Sequence, residues 1–187
     1  MLKKSFLFCL FILALSAGCN KTETLYKVVG VKDGDTVVLL SPDNQSVTVR
    51  LAEIDAPEKS QAFGQAAKQF TSDICFGKKV KLIGNQKDRY GRTVAQIELE
   101  NGVNVNHEIV KQGFAWQYRA YSKSMELAML EQQARQNHLG LWQDANPTPP
   151  WNFRREAKTQ KTEKKITKTK RSYKKRKSRK RRDTVEF

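Results

Sequence analysis

Cysteine is nearly absent from the part of this 187-residue chain that can fold. Of the three cysteines, Cys9 sits inside a leading apolar stretch, Cys19 ends that stretch, and Cys75 alone lies in the body. A single thiol excludes a disulfide framework. Long apolar runs are missing too: the stretch Phe6 to Ala14 falls well short of the about 20 apolar residues that a permanent membrane-spanning helix needs. No internal repeat is visible. Histidine is scarce, with only His107 and His138. The body also lacks a charge excess. The whole chain carries +16, yet residues 154–187 alone hold 17 basic and 4 acidic residues, a net of +13. The other 153 residues net only +3. A polycationic tail therefore follows a nearly neutral body, and such a tail attracts nucleic acid, anionic lipid or other polyanions.

The first residues have export architecture. Lys3 and Lys4 precede the apolar stretch, and Leu15-Ser16-Ala17-Gly18-Cys19 follows it. A charged start, a short apolar core and small residues before a cleavage point define a signal peptide, here residues 1–19. The small-small-Cys ending resembles the lipobox of bacterial lipoproteins, in which the Cys is acylated. It departs from the commonest pattern, since Ser16 stands in the usual Leu position. Two outcomes are open: a lipoprotein anchored to a cell-envelope membrane through Cys19, or a protein secreted or released into the periplasm.

Residues 20–24 form a polar linker. Leu25 to Leu40 alternates and breaks at Asp33-Gly34, which predicts two strands joined by a tight turn. Val47 to Ile54 predicts a third strand, stopped at Ala56-Pro57. Gln61 to Cys75 has helical spacing, with Ala62, Phe63, Ala66, Ala67, Phe70 and Ile74 on one side and Gly77 as its stop. Val80 to Ile83 and Val94 to Leu99 predict two more strands. Val105 to Lys111 and Lys123 to Asn137 predict helices. The fold class is α+β: a five-stranded, OB-like barrel packed by about three helices. Pro147 to Trp151 is expected to lie extended over the domain. The folded domain spans 25–155, and the basic tail 156–187 is expected to be disordered, because like charges repel and there is little apolar area to bury.

Three short blocks carry chemistry. Val31 to Val37 contains Asp33-Gly34-Asp35-Thr36. Val49 to Glu58 contains Arg50, Asp55, Ala56, Pro57 and Glu58. The third is Asp88-Arg89-Tyr90-Gly91-Arg92. Each falls at a strand end or turn, where a barrel presents side chains at its mouth. Paired carboxylates can hold a hard cation. A further carboxylate can serve as base. Planar guanidinium forks suit a phosphate that gains negative charge. Singly, each block is no more than a turn or a solvated strand.

In this order the blocks resemble the thermonuclease, or staphylococcal-nuclease-like, family. The pattern is Asp-Gly-Asp-Thr, then Arg-Leu-x-x-Ile-Asp-x-Pro-Glu, then Asp-x-Tyr-Gly-Arg. It continues through Val103 to Asn106, Val110 to Ala115, Gly140-Leu141-Trp142 and the Trp151 segment, covering about Tyr26 to Arg155. The resemblance implies a Ca²⁺-dependent nuclease acting on DNA, RNA or both. It implies endonucleolytic cleavage that leaves 3′-phosphates. It implies Ca²⁺ on Asp35, Asp55 and the backbone carbonyl of Ala56, where the family often has Thr. It gives Glu58 the task of activating or orienting water, and Arg50 and Arg92 the task of gripping phosphate. Tyr90 and Tyr121 fall where relatives place tyrosines near the nucleotide. The loop from Glu58 to Gly64 is shorter than in relatives of the best-known type.

His107 is a rival base, but it sits away from the three blocks and a structural role is expected. Cys75 is expected to be a buried thiol without chemistry. A monomer is expected. The competing reading is a non-catalytic, nucleic-acid-binding barrel of the envelope.

Overall fold

The structure is a computed structural model and describes residues 24–183, with side chains described to residue 173. The expected signal segment, with Cys19, lies outside the described residues.

The strands are β1 (Leu25–Asp33), β2 (Thr36–Leu40), β3 (Ser46–Leu51), β4 (Ile54–Asp55), β5 (Lys79–Lys87), β6 (Thr93–Leu99) and β7 (Trp116–Gln117). The helices are α1 (Gly64–Cys75), α2 (Val105–Lys111), α3 (Met125–Gln136) and α4 (Pro150–Asp183), with a 3₁₀ turn at Gly140–Gln143. Five strands close into a barrel in the order β1-β2-β3-β6-β5. Closure comes from β5, which pairs with β6 on one side and through Tyr26↔Val80 with β1 on the other. No barrel strand is left with an open edge along its whole length, which removes a site of unwanted pairing.

Alternation builds the core. In β6, Thr93, Ala95, Ile97 and Leu99 are buried, while Val94, Gln96 and Glu98 between them are not. Val28, Val37, Leu39, Val49, Leu51 and Val80 complete the interior. Each large aliphatic buried there contributes on the order of 1.5–3 kcal/mol of transfer free energy. Ala67 and Cys75 of α1 and Val105, Ile109 and Val110 of α2 cap this core, and Phe70 stacks on Phe114 at 4.6 Å between ring centroids. Local signals start α2 and α3: Asn104 accepts from His107 N–H and Ser124 accepts from Leu127 N–H, as N-cap side chains do.

Four differences from the expected elements bear on function. The third strand does not run unbroken to Ile54. It stops at Leu51, Glu53 takes φ +65°, and Ile54–Asp55 starts a separate strand paired with Trp116–Gln117. The left-handed backbone at Glu53 is offset locally: its carbonyl accepts from Tyr118 N–H at 2.8 Å, and its carboxylate accepts from Gln96 and Ser122. Next, the first helix starts at Gly64 rather than Gln61, after Phe63 at φ +62°. Its buried face is Gly64, Ala67, Thr71 and Cys75, whereas Ala62 and Ala66 are exposed. Third, the segment through Trp151 is not wholly extended, since Pro150 opens α4, a position where its missing N–H costs nothing.

Last, the tail expected to be disordered continues as helix to Asp183. Every described side chain from Arg155 to Tyr173 is exposed. Helix propensity decides its backbone. Lys, Arg, Gln and Glu are good helix formers and outnumber the weak former Thr; the hydroxyls of Thr159, Thr162, Thr167 and Thr169 turn back onto carbonyls four residues earlier. Among the described residues no helix is long and apolar enough to cross a membrane.

Candidate active site

The β1–β2 turn delivers Asp35. Its Oδ2 accepts from Ala56 N–H at 2.8 Å and its Oδ1 from the Thr36 hydroxyl at 3.0 Å. Gly34, the residue before it, has no room for a side chain. A Cβ there would stand 2.8 Å from the Cβ atoms of both Ala56 and Ala67. Glycine is required by this close approach, which lays the turn flat against the Asp55-Ala56 segment.

Arg50 faces Thr36 across the β2–β3 ladder. Its Nη1 donates to the carbonyls of Leu51 and Ile54, both at 2.8 Å. Its Nη2 donates to Asp55 Oδ1 at 2.7 Å and stands 3.2 Å from Asp35 Oδ2. One guanidinium thus fixes the strand break and holds two carboxylates together. Asp55 sits in β4 opposite Trp116 and is 0% exposed. Desolvation pushes its pKa up; hydrogen bonding from Arg154 and the charge of Arg50 oppose the rise without cancelling it.

Glu58 follows the Ala56-Pro57 stop, and the turn after it is tight. Gln61 N–H donates to Glu58 O at 2.8 Å, and the Gln61 amide donates in turn to Thr148 O. A Cβ on Gly64 would come within 1.9 Å of Glu58 O. The start of α1 therefore sets where Glu58 stands, and the short loop is part of that positioning. Gly64→Ala is expected to cost about 1–3 kcal/mol, as overpacking does, and to lower turnover with little change in metal affinity. Chemical denaturation beside steady-state kinetics would check this, and wild-type turnover in a stable Gly64→Ala protein would contradict it.

The structure brings together Asp35, Arg50, Asp55, Ala56 and Glu58 of the expected set. It does not join Arg92 to them. Arg92 Nε pairs with Asp88 Oδ2 at 2.7 Å, and its guanidinium lies 5.5 Å from the centroid of Tyr90. Asp88 also accepts from the backbone N–H of Tyr90 and Arg92. Desolvation pushes the Asp88 carboxyl up, but these bonds, led by the Arg92 guanidinium, outweigh it and hold the group below its ordinary range. The β5–β6 turn thus orders Arg92 within itself. Tyr90 and Tyr121 are 69% and 75% exposed, and Tyr121 leans on Tyr118 at 4.8 Å. Both rings are open to a partner. His107 pairs with Glu126 at 3.1 Å, away from the carboxylates. Cys75 is fully buried, its thiol donates to Thr71 O at 2.9 Å, and burial pushes its pKa up to about 12.

The oxygen donors suit a hard divalent cation. Asp35 and Asp55 converge on a single nitrogen of Arg50, and the backbone of Ala56 lies against Asp35. Among the described residues no three His, Cys, Asp or Glu side chains gather into a metal cage. A hard cation held by two carboxylates and a backbone carbonyl would keep positions for water and substrate, as six to eight oxygen ligands allow.

One member of the cluster escaped the sequence reading. Arg154, in the first turns of α4, donates Nη2 to Asp55 Oδ2 and Nη1 to Glu58 Oε1, both at 2.7 Å. A signal was present in principle. Arg154 lies three residues after Trp151, whose ring packs on Trp116 and Tyr118, so residue 154 falls near the same helix face.

Comparison with known proteins gives a consistent picture. The family model for staphylococcal nuclease homologues matches residues 48–144. An uncharacterized endonuclease of Haemophilus influenzae is 44% identical over 149 residues, covering 80% of this chain and 83% of that protein. A micrococcal nuclease of Shigella flexneri is 42% identical over 142 residues, covering 71% of this chain and 81% of its own length. An uncharacterized endonuclease of Escherichia coli O157:H7 is 41% identical over 128 residues, covering 68% and 83%.

Proposed function

Because the chain belongs to the family of staphylococcal nuclease homologues and is a nuclease that hydrolyses nucleic acid, we propose that it acts as a Ca²⁺-dependent endonuclease on DNA, RNA or both, leaving 3′-phosphates. The observation that carries this reading is the meeting of Asp35, Arg50 and Asp55, with Glu58 joined to them through Arg154. Ca²⁺ held by Asp35, Asp55 and the Ala56 carbonyl would supply positive charge beside the scissile phosphate. Glu58, half-exposed next to it, takes the proton of the attacking water. The water oxygen bonds to phosphorus, the bond to the 5′-oxygen breaks, and that oxygen leaves as it takes a proton from solvent water. Arg50, held rigid by two backbone carbonyls, offers fixed charge to the crowded phosphorus. Arg92 grips the phosphate from the β5–β6 turn, and Tyr90 and Tyr121 stack on bases. The test is incubation of purified protein with single- and double-stranded DNA and RNA in Ca²⁺, followed by end-group analysis. Internal cuts with 3′-phosphate ends support the reading. Binding without cleavage supports the non-catalytic barrel instead.

The same reading extends to place and delivery. The export segment supports an envelope location, with an acyl chain on Cys19 as anchor; fatty-acid labelling that persists in Cys19→Ser would refute the anchor. The exposed basic helix supports a tethering role through counterion release. A protein truncated after Arg155 is expected to bind DNA more weakly, with a salt slope smaller by about 0.9 for each phosphate that the helix had neutralised. Equal slopes across a salt titration would remove the helix from substrate binding.

A further inference from the structure

The site contains a third arginine, and its placement is built. The Trp151 ring stacks on Tyr118 at 5.5 Å and 5° and meets Trp116 edge-on at 5.8 Å. Trp116 is the strand partner of Asp55. The first turns of α4 are thereby docked beside the carboxylates, and Arg154 reaches in from there. It donates to both oxygens of Asp55, at 2.7 and 3.3 Å, and to Glu58 Oε1 at 2.7 Å. With Arg50 on Asp55 Oδ1 as well, both oxygens of this buried carboxylate are engaged by guanidinium groups. Asp35, Asp55 and Glu58 carry three negative charges against two positive ones from Arg50 and Arg154.

We propose that Arg154 is a positioning residue that, anchored also on Glu58, competes with the divalent cation for Asp55 and so sets how tightly the site takes metal. This rests on the reading that Asp55 is a cation ligand. A cation approaching Asp55 meets the repulsion of a guanidinium on the very oxygens it needs. Removing Arg154 changes the net charge of the five-residue cluster from −1 to −2 and frees those oxygens. Arg50 also touches Asp55, but two backbone carbonyls hold it in place, so it is a fixed part of the site and not a displaceable competitor. Arg154 has no comparable backbone hold, and its side chain is 42% exposed. It can swing to solvent or to a phosphate while α4 stays docked through Trp151. A planar fork leaving a carboxylate is chemically matched to a phosphate. Metal and nucleic acid therefore favour the same displacement, and each strengthens binding of the other.

The experiment is calorimetric Ca²⁺ titration of the full chain without nucleic acid, in wild type, Arg154→Ala, Arg154→Lys and Arg155→Ala. Arg155 is the control, because it carries the same charge one residue on and bonds only within its own helix, to Asn152. Arg154→Ala is expected to bind Ca²⁺ at least about ten-fold tighter than wild type, which is about 1.4 kcal/mol. Arg154→Lys is expected to fall between, keeping charge without the fork. Arg155→Ala is expected to stay within about two-fold of wild type, as an exposed charge should. Thermal unfolding gives a second readout: Ca²⁺ is expected to raise the midpoint of Arg154→Ala more than that of wild type. Wild-type or weaker affinity in Arg154→Ala overturns the inference while leaving the metal reading intact, and so does equal tightening in Arg155→Ala. Ca²⁺ binding by none of these proteins overturns both. If Arg154→Ala does not fold, Arg154→Lys decides alone, and unchanged affinity there counts against the proposal.

Discussion

Replacing Glu58 with alanine is expected to lower turnover of DNA by at least about 100-fold, the loss typical of a general base. The magnitude follows from what Glu58 does and does not support. Its side chain is 40% exposed, and its ion pair is with Arg154, itself 42% exposed. Such a pair contributes at most about 1 kcal/mol to stability. The variant should fold and retain Ca²⁺, since Asp35 and Asp55 keep their places. The loss should therefore appear in kcat with KM nearly unchanged. Single-turnover cleavage together with a thermal melt separates these effects. A fall of less than about ten-fold, in a folded protein, would take the proton-accepting role away from Glu58. His107, held by Glu126, would not recover it, because it stands apart from the site.

Arg50→Ala is expected to damage activity and stability together, and this distinguishes it from Glu58→Ala. Among the described residues, Arg50 is the one side chain that touches Asp35, Asp55 and the strand break at once. Its loss leaves Asp55, which is fully buried, short of a counter-charge. Breaking such a pair costs about 3–5 kcal/mol. Because Arg154 still contacts Asp55, the low end, about 3 kcal/mol, is expected. For a chain of this size that lowers the melting midpoint by roughly 6–12 °C. Turnover should fall by about 100- to 1,000-fold, as when a fixed donor to the transition state is removed. Arg50→Lys restores charge but cannot reproduce the contacts of the planar fork, so it should recover part of the stability and little of the rate. A stable, active Arg50→Ala protein would mean that the cluster is held by something other than this guanidinium.

The carboxylates and Arg50 were legible in the sequence because each lies within a short block beside a turn. Asp33-Gly34 places Asp35, and Ala56-Pro57 places Asp55 and Glu58. Gln61 to Cys75 carried its spacing openly, although Phe63 at φ +62° delayed the start of α1. Glu53 at φ +65° had no signal, since a non-glycine in this region shows only in the fold that holds it. The pairing of Ile54–Asp55 with Trp116–Gln117 was invisible for a simpler reason: two-residue strands have no period. Arg154 was lost among the basic residues of the tail, and its contact with Asp55 spans 99 positions. Charge counting grouped it with the polycationic tail, while geometry places its guanidinium on Asp55 and Glu58. Arg92 shows the reverse: its motif position pointed to the phosphate, and the structure ties it first to Asp88.

Metal removal and return on one preparation decides whether the carboxylate cluster is a working cation site. Cleavage of duplex DNA by the purified full chain is followed in Ca²⁺, then after chelation, then after excess Ca²⁺ is restored, with Asp55→Ala alongside. Cleavage is expected to stop on chelation, to return with Ca²⁺, and to be at least about 100-fold weaker in Asp55→Ala. Cleavage that continues unchanged under chelation, or an Asp55→Ala protein as active as wild type, would overturn the Ca²⁺-dependent mechanism.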